Sequence, residues 1–151
     1  MKRVVIVSGT VFGTSEEVAY VAEEMLQAQG IDVEYNNRVT YQQLAASEAE
    51  VLLVVTSTTG MGELPGALNV LVHELQDMPP QWAIKQGAII ALGDASYGET
   101  FCAGGEQVRE MFAELGITEL QPMLRLDGSA TVTPELDAVP WIEQLISLLQ
   151  A

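Results

Sequence analysis

Residues 51–55 read VLLVV, an uninterrupted apolar run near the middle of the chain. Two similar runs, VVIV at residues 4–7 and AIIAL at residues 88–92, lie before and after it. Apolar runs without polar alternation are typical of strands that are buried on both faces, as in a parallel sheet covered by helices. The sequence therefore predicts an α/β fold.

Segments with helical spacing of apolar residues alternate with these runs along the whole chain. The predicted strands are residues 3–8, 32–36, 51–57, 87–93 and 119–126. The predicted helical stripes are residues 18–25, 68–75, 108–115 and 139–149, with a short helical or turn-like segment at 41–47. Parallel strands with right-handed crossovers then give a three-layer α-β-α sandwich around a five-stranded parallel sheet of order 2-1-3-4-5.

Local signals predict where the helices begin and end. Thr14 and Glu17 have the spacing of a capping box at the start of the first helix. Thr133, which precedes a proline, is expected to be an N-cap near the C-terminal end. Gly30 and Gly116 are expected just beyond the ends of two helices.

Length and composition indicate the class of protein. The 151 residues are expected to form a single domain, residues 1–151. No apolar run approaches the roughly 20 residues of a membrane span, and no signal peptide is recognisable. One cysteine cannot form an internal disulfide. These features predict a cytoplasmic protein without a membrane partner, and we expect a monomer.

The chain is strongly acidic, with 21 Asp and Glu against 6 Lys and Arg and a net charge of −15. This charge argues against nucleic acid and anionic membranes as partners. It either serves solubility alone or steers the protein to basic faces of partner proteins.

Three loops follow predicted strands one, three and four, at residues 8–15, 57–65 and 93–102. In open α/β sheets, ligands bind at the carboxyl ends of the strands, where the strand order reverses. Strands one and three flank that point in the predicted order. We therefore expect the three loops to form one binding site.

The first loop has the composition of a phosphate site. Gly9 and Gly13 allow close backbone approach and positive φ, and a helix start offers unpaired N–H groups. Thr10, Thr14 and Ser15 add hydroxyl donors. The loop lacks the Walker A and dinucleotide patterns, and no Lys or Arg occurs in it. Neutral dipoles would therefore hold the anion; the alternative is an ordinary βα turn.

The second loop places glycines at positions 60 and 62, on either side of Met61. Glycine lets a peptide change orientation at low steric cost, so it could offer N–H to one redox state of a flavin and C=O to another. The alternative is a flexible loop that ends where a helix starts at Pro65.

The third loop contains Tyr97, which is suited to stacking on a planar heterocycle. Asp94 and Glu99 lie beside it. Carboxylates near a flavin oppose its anionic, fully reduced form and lower the potential of the second electron.

These motifs resemble those of flavodoxins. Residues 91–97 with Phe101 and Cys102 are similar to the third flavin loop of flavodoxins and of the FMN domains of diflavin reductases, and residues 57–63 resemble the second. The resemblance covers the whole chain, and within the short-chain group it is greatest to the small stand-alone flavodoxins related to MioC. It implies a flavodoxin-like fold and non-covalently bound FMN.

The resemblance also implies which residues contact the cofactor. They are Ser8, Gly9, Thr10, Val11, Phe12, Gly13, Thr14, Ser15, Thr58, Thr59, Gly60, Met61, Gly62, Gly93, Asp94, Tyr97, Phe101 and Cys102. Two positions depart from the family pattern: Phe12 replaces a usual hydroxyl residue, and Thr59 stands where many members have Trp.

The implied function is electron transfer by an FMN protein, through a semiquinone, from a flavin reductase to acceptor enzymes. Such a carrier is not an enzyme and has no catalytic residues. His73 is expected to be a solvated helix residue and Cys102 a packing residue, so neither a zinc site nor a catalytic thiol is expected. The alternatives are an FMN-dependent NAD(P)H:quinone-type reductase and a non-redox interaction protein that has lost its flavin.

Overall fold

The computed structural model describes residues 2–10, 13–58, 63–93 and 102–151. Strands and helices alternate along these residues. In chain order they are β1 Val4–Gly9, α1 Thr14–Ala28, β2 Val33–Tyr35, α2 Tyr41–Ala45, β3 Val51–Thr56, α3 Gly66–Asp77, β4 Gln86–Gly93, α4 Ala103–Leu115, β5 Thr118–Glu119, β6 Leu124–Asp127, α5 Pro134–Asp137 and α6 Val139–Gln150.

The strands form one sheet of order β2-β1-β3-β4-β5, and all of its described pairings are parallel. The predicted strand order is therefore confirmed. In β1, Val4 and Ile6 pack with α1 and α6, whereas Val5 and Val7 pack with α3 and α4. The uninterrupted apolar runs reflect this burial on both faces, because successive side chains of a strand point to opposite sides.

The last strand position of the sheet is divided between two short strands. The expected strand 119–126 is two segments, β5 and β6, and both pair with β4. Pro122 lies between them and has no N–H to donate to a neighbouring strand. Its carbonyl instead accepts a hydrogen bond of 2.9 Å from the indole N–H of Trp141. The described residues therefore form a sheet of six strands rather than the predicted five.

Two of the predicted helix ends are confirmed and one predicted start is wrong. Gly30 and Gly116 follow α1 and α4 in the left-handed region, with φ of 75° and 72°. Thr14, however, is the first residue of α1 rather than its N-cap, and the N-cap position is occupied by Gly13, which has no side chain to cap the helix. A capping box is present instead at Thr40 and Gln43, at the start of α2.

The C-terminal helical region begins where predicted. Thr133 is the N-cap of α5, but its side chain makes no capping hydrogen bond. Its carbonyl oxygen accepts the N–H groups of Leu136 and Asp137, each at 3.0 Å. Within the described ranges, no helix is long and apolar enough to cross a membrane.

Candidate functional site

The carboxyl ends of β1, β3 and β4 lie side by side. In the register of the sheet, Gly9 is opposite Thr56, and Thr56 is opposite Ala91. The three predicted loops therefore start from neighbouring points on one edge of the sheet. Nine of the predicted cofactor residues are outside the residues that the structure describes: Val11, Phe12, Thr59, Gly60, Met61, Gly62, Asp94, Tyr97 and Phe101.

The first loop turns into α1 through Gly13. This residue has φ of 88°, a conformation that favours glycine, and its N–H donates to Thr10 Oγ1 at 2.6 Å. Because the Thr10 hydroxyl accepts this bond, its proton is left for another acceptor. Thr14 follows Gly13 as the first residue of the uncapped helix. The backbone N–H groups of this first turn and the Thr10 hydroxyl are suited to binding an anion.

Gly9 is required for a different reason from the predicted one. It belongs to β1 and is not among the glycines with positive φ. A Cβ at this position would lie 2.6 Å from Leu68 Cδ2 and 2.8 Å from Leu68 Cβ. Glycine is therefore needed so that α3 can pack against the end of β1, and the expectation of positive φ holds for Gly13 alone of this pair.

Ser15 and Ser57 join the first loop to the second. Ser15 is fully buried in the first turn of α1, and its Oγ lies 2.6 Å from Ser57 Oγ. The N–H of Ser57 donates to the Gly9 carbonyl oxygen at 2.9 Å. Ser57 was not among the predicted cofactor residues. The available signal was a hydroxyl residue directly after a buried strand, at the edge where the first loop also begins.

Ser8 is oriented toward the neighbouring strand. Its Oγ lies 2.7 Å from the Tyr35 hydroxyl on β2, and the Tyr35 ring packs edge-on against Tyr20 at 5.2 Å between centroids. Burial raises the pKa of Tyr35, while the Ser8 hydrogen bond lowers it. The phenol therefore stays protonated at neutral pH, and the Ser8 hydroxyl is engaged with β2 rather than with the first loop.

The ends of the second and third loops are also joined. Thr58 Oγ1 accepts the N–H of Gly104, in the first turn of α4, at 3.1 Å. At the other end of the third loop, the Gly93 carbonyl oxygen accepts the N–H of Gly128 at 2.7 Å. These contacts fix the positions of residues that flank the predicted ring-binding segments.

Cys102 is a buried packing residue, as predicted. It has no exposed surface, and its Sγ lies 3.5 Å from the Ala91 carbonyl oxygen. Burial raises the pKa of its thiol to about 11, against a smaller lowering by Arg125. The thiol is therefore protonated at neutral pH and unsuited to nucleophilic chemistry. Its φ of 56° places the start of α4 in a left-handed turn.

The arginines near this edge are paired with acidic residues. Arg125 pairs with Glu106, and Arg109 contacts Glu106 at 3.5 Å and Glu119 at 3.3 Å. The His73 side chain is exposed on α3, with Nδ1 2.7 Å from the Asn69 carbonyl oxygen, as expected for a solvated helix residue. Among the described residues, no group of His, Cys, Asp and Glu side chains could hold a metal ion.

Comparison with known proteins identifies the family. Residues 6–141 match the family model described as Flavodoxin. The chain is 36% identical to flavodoxin YqcA of Escherichia coli over 99% of both chains, and 31% identical to a MioC homolog of Pasteurella multocida over 97% of this chain and 98% of that protein. The solved structure of a cysteine-to-alanine mutant of flavodoxin from Pseudomonas aeruginosa is 51% identical, with a TM-score of 0.93 over 99% of each chain. The predicted resemblance is thereby confirmed, and the chain belongs to the flavodoxin family, whose members are electron carriers with FMN as their cofactor.

Proposed function

We propose that this protein binds FMN and carries single electrons from a flavin reductase to acceptor enzymes. The observation that supports it most directly is the convergence of neutral phosphate donors at one edge of the sheet. The Thr10 hydroxyl, the uncapped start of α1 and the Ser15–Ser57 pair all belong to elements that end or begin there.

The donor set fits a phosphate monoester. Backbone N–H groups, a helix dipole and hydroxyls bind a dianion without a counter-charge, provided that several of them converge. No Lys or Arg occurs in the three loops, so nothing in them would attract the anion from a distance. FMN supplies one-electron redox chemistry when bound. The residues proposed for its ring, above all Gly60, Met61 and Tyr97, lie outside the described ranges.

The proposed partners are the basic faces of a flavin reductase and of acceptor redox enzymes. The net charge of −15 supports this, because long-range attraction would steer the protein to such faces. Of the acidic residues near the loops, Glu63 is exposed, whereas Glu106 contacts two arginines. Asp94 and Glu99 fall beyond the part of the chain that the structure describes. Because Glu63 is exposed and Glu106 is half-buried, Glu63 is the better docking candidate of the two.

We further propose that the protein acts as a single-domain monomer, residues 1–151, in the cytoplasm. One sheet contributes the core residues on both of its faces, which supports a single domain. The lone cysteine is buried, so it is not placed to link two chains by a disulfide. Light scattering of the purified protein tests the monomer.

The decisive experiment is stepwise photoreduction of the purified protein with added FMN, followed by visible absorption. The proposal expects a yellow complex and accumulation of a one-electron-reduced flavin before full reduction. A colourless protein that leaves the FMN spectrum unchanged would instead support a chain without a flavin. The FMN dissociation constants of wild type and Phe12→Thr are then compared. If the hydroxyl missing at position 12 is the reason why wild type does not bind FMN, the variant should bind it measurably.

A second assay separates a carrier from an enzyme. The carrier needs an added reductase to receive electrons from NADPH. Steady NADPH oxidation with a quinone, in the absence of any reductase, would identify a quinone-type reductase. The absence of basic residues from the loops supports the carrier, because a pyridine nucleotide has additional phosphates to hold.

A further inference from the structure

Ser57 and Thr58 connect β3 to both of the other loops. The Ser57 N–H donates to the carbonyl oxygen of Gly9, at the end of β1, at 2.9 Å. Thr58 Oγ1 accepts the N–H of Gly104, on α4, at 3.1 Å. We call these two residues the 57–58 junction. It lies directly before residues 59–62, and Gly104 lies shortly after residues 94–101.

Helix α4 packs closely against the 57–58 junction at Gly104. A Cβ on Gly104 would lie 2.9 Å from the Ser57 carbonyl oxygen and 3.0 Å from Thr58 Oγ1. The first of these is a backbone atom in a strand-end segment, so it cannot rotate away as a flexible side chain could. Gly104 is also buried. An unpaired N–H at this position would be costly, which makes the Thr58 hydroxyl its required partner.

We propose that Thr58 is a positioning residue that holds the ends of the second and third loops together and thereby favours the one-electron-reduced cofactor. The inference rests on the proposed FMN function. Fixing the ends of a loop reduces the conformational entropy lost when it adopts one bound conformation. The benefit should be greatest for the half-reduced state, because its protonated ring nitrogen would need an acceptor carbonyl. The resemblance assigns that carbonyl to the peptide of Gly60 and Met61.

Three variants separate this role from a general effect on stability. Thr58→Val removes the acceptor oxygen but keeps the shape of the side chain, and Thr58→Ser keeps the oxygen. Thr56→Val is a matched control: Thr56 is fully buried at the end of β3, two residues before Thr58, but its hydroxyl donates to the adjacent Ser57 carbonyl at 2.8 Å and has no bond to α4 among the described contacts.

The first readout is hydrogen exchange of the Gly104 amide in the cofactor-free full chain. Thr58→Val should exchange at least about fivefold faster than wild type, the factor that matches loss of a hydrogen bond worth about 1 kcal/mol. Thr58→Ser and Thr56→Val should keep the wild-type rate. An unchanged rate in Thr58→Val would show that the hydrogen bond is not formed in solution, and it would overturn the proposal.

The second readout is the midpoint potential of the first electron. We expect Thr58→Val to lose about fivefold more affinity for half-reduced than for oxidised FMN, which lowers this potential by about 40 mV at 59 mV per tenfold. Thr58→Ser should keep the wild-type potential. A purely structural role would weaken both redox states equally, so an unchanged potential in Thr58→Val, or an equal shift in Thr56→Val, would reject the role of Thr58. Failure of wild type to bind FMN would instead reject the proposed function itself.

Discussion

The hydroxyl oxygens of Ser15 and Ser57 lie 2.6 Å apart, at the start of α1 and the end of β3. Two hydroxyls at this distance share one proton in a hydrogen bond, and the second proton is left for another acceptor. Ser15 is fully buried, so water cannot accept a hydrogen bond from the Ser15 hydroxyl. A phosphate oxygen at the start of α1 would be a suitable acceptor.

We therefore predict that Ser15→Ala and Ser57→Ala each weaken FMN binding by about five- to tenfold, roughly 1 kcal/mol per hydrogen bond. The double variant should lose less than the sum, because the two side chains share one interaction. Fluorescence titration with FMN measures all three constants. Ser147→Ala is the control, since that hydroxyl bonds the Glu143 carbonyl within α6. Wild-type affinity in Ser15→Ala would exclude the pair from the phosphate site.

A second prediction concerns Gly9. Gly9→Ala would place a methyl group 2.6 Å from Leu68 Cδ2, and α3 would have to shift. Overpacking of this kind typically costs about 1–3 kcal/mol, which urea unfolding of the FMN-free protein can measure. Gly66→Ala is the matched control, because a Cβ at Gly66 meets no atom within 4 Å. Combining Gly9→Ala with Leu68→Ala should recover part of the loss if the clash is the cause; a simple sum of the two losses would reject that explanation.

A third prediction follows from the raised pKa of Cys102. Burial raises the pKa of the folded thiol to about 11, above the ordinary thiol pKa of about 9, so the unfolded chain releases this proton first as pH rises. The contribution of Cys102 to stability is therefore complete below about pH 9 and is lost progressively up to about pH 11. The loss is on the order of 2 kcal/mol.

The difference in unfolding free energy between wild type and Cys102→Ala isolates this effect, because the other groups titrate in both proteins. Between pH 9 and 11, the unfolding free energy of wild type should fall relative to that of Cys102→Ala. This interval lies between the thiol pKa of the unfolded chain and that of the folded protein. A difference independent of pH in this range would mean that the thiol is not protected by burial. Alkylation of the folded protein at neutral pH should likewise be slow compared with the unfolded protein.

In the first loop, local features could be predicted from the sequence, whereas contacts between distant residues could not. The positive φ of Gly13 was predicted correctly, because a glycine just before a helical stripe is a local signal. The reason for Gly9 was not, since its neighbour Leu68 is brought to it only by packing of α3 on the sheet. The Ser15–Ser57 contact joins residues 42 positions apart and has no local signal either.

Two errors arose from signals that were present. Pro122 within the predicted last strand indicated an interruption, because proline cannot donate to a strand ladder. The capping-box spacing occurs at both Thr14–Glu17 and Thr40–Gln43, but only the second has a cap residue in extended conformation. At the first, Gly13 already occupies the cap position. Residue spacing alone therefore did not distinguish the two sites. A capping box also requires that its Ser or Thr is the N-cap residue, with an extended backbone, as Thr40 is.

The last prediction concerns partner docking and compares three acidic residues. Glu63→Gln should slow electron uptake from a basic flavin reductase by about two- to fivefold at low salt, the range for loss of one exposed ion pair. The effect should disappear at high salt, because the Debye length falls from about 10 Å at 0.1 M to about 3 Å at 1 M. Glu106→Gln should have a smaller effect, since Glu106 is half-buried in the first turn of α4 and is less accessible to a partner.

Glu143→Gln, on the exposed face of α6, removes the same charge at a distance from the loops. It controls for the change in net charge, and stopped-flow reduction at two ionic strengths measures all three variants. A slowing in Glu143→Gln equal to that in Glu63→Gln would mean that the overall charge attracts the reductase without local docking at the loops. A larger effect of Glu106→Gln than of Glu63→Gln would mean that the reductase competes with Arg125 and Arg109 for the Glu106 carboxylate.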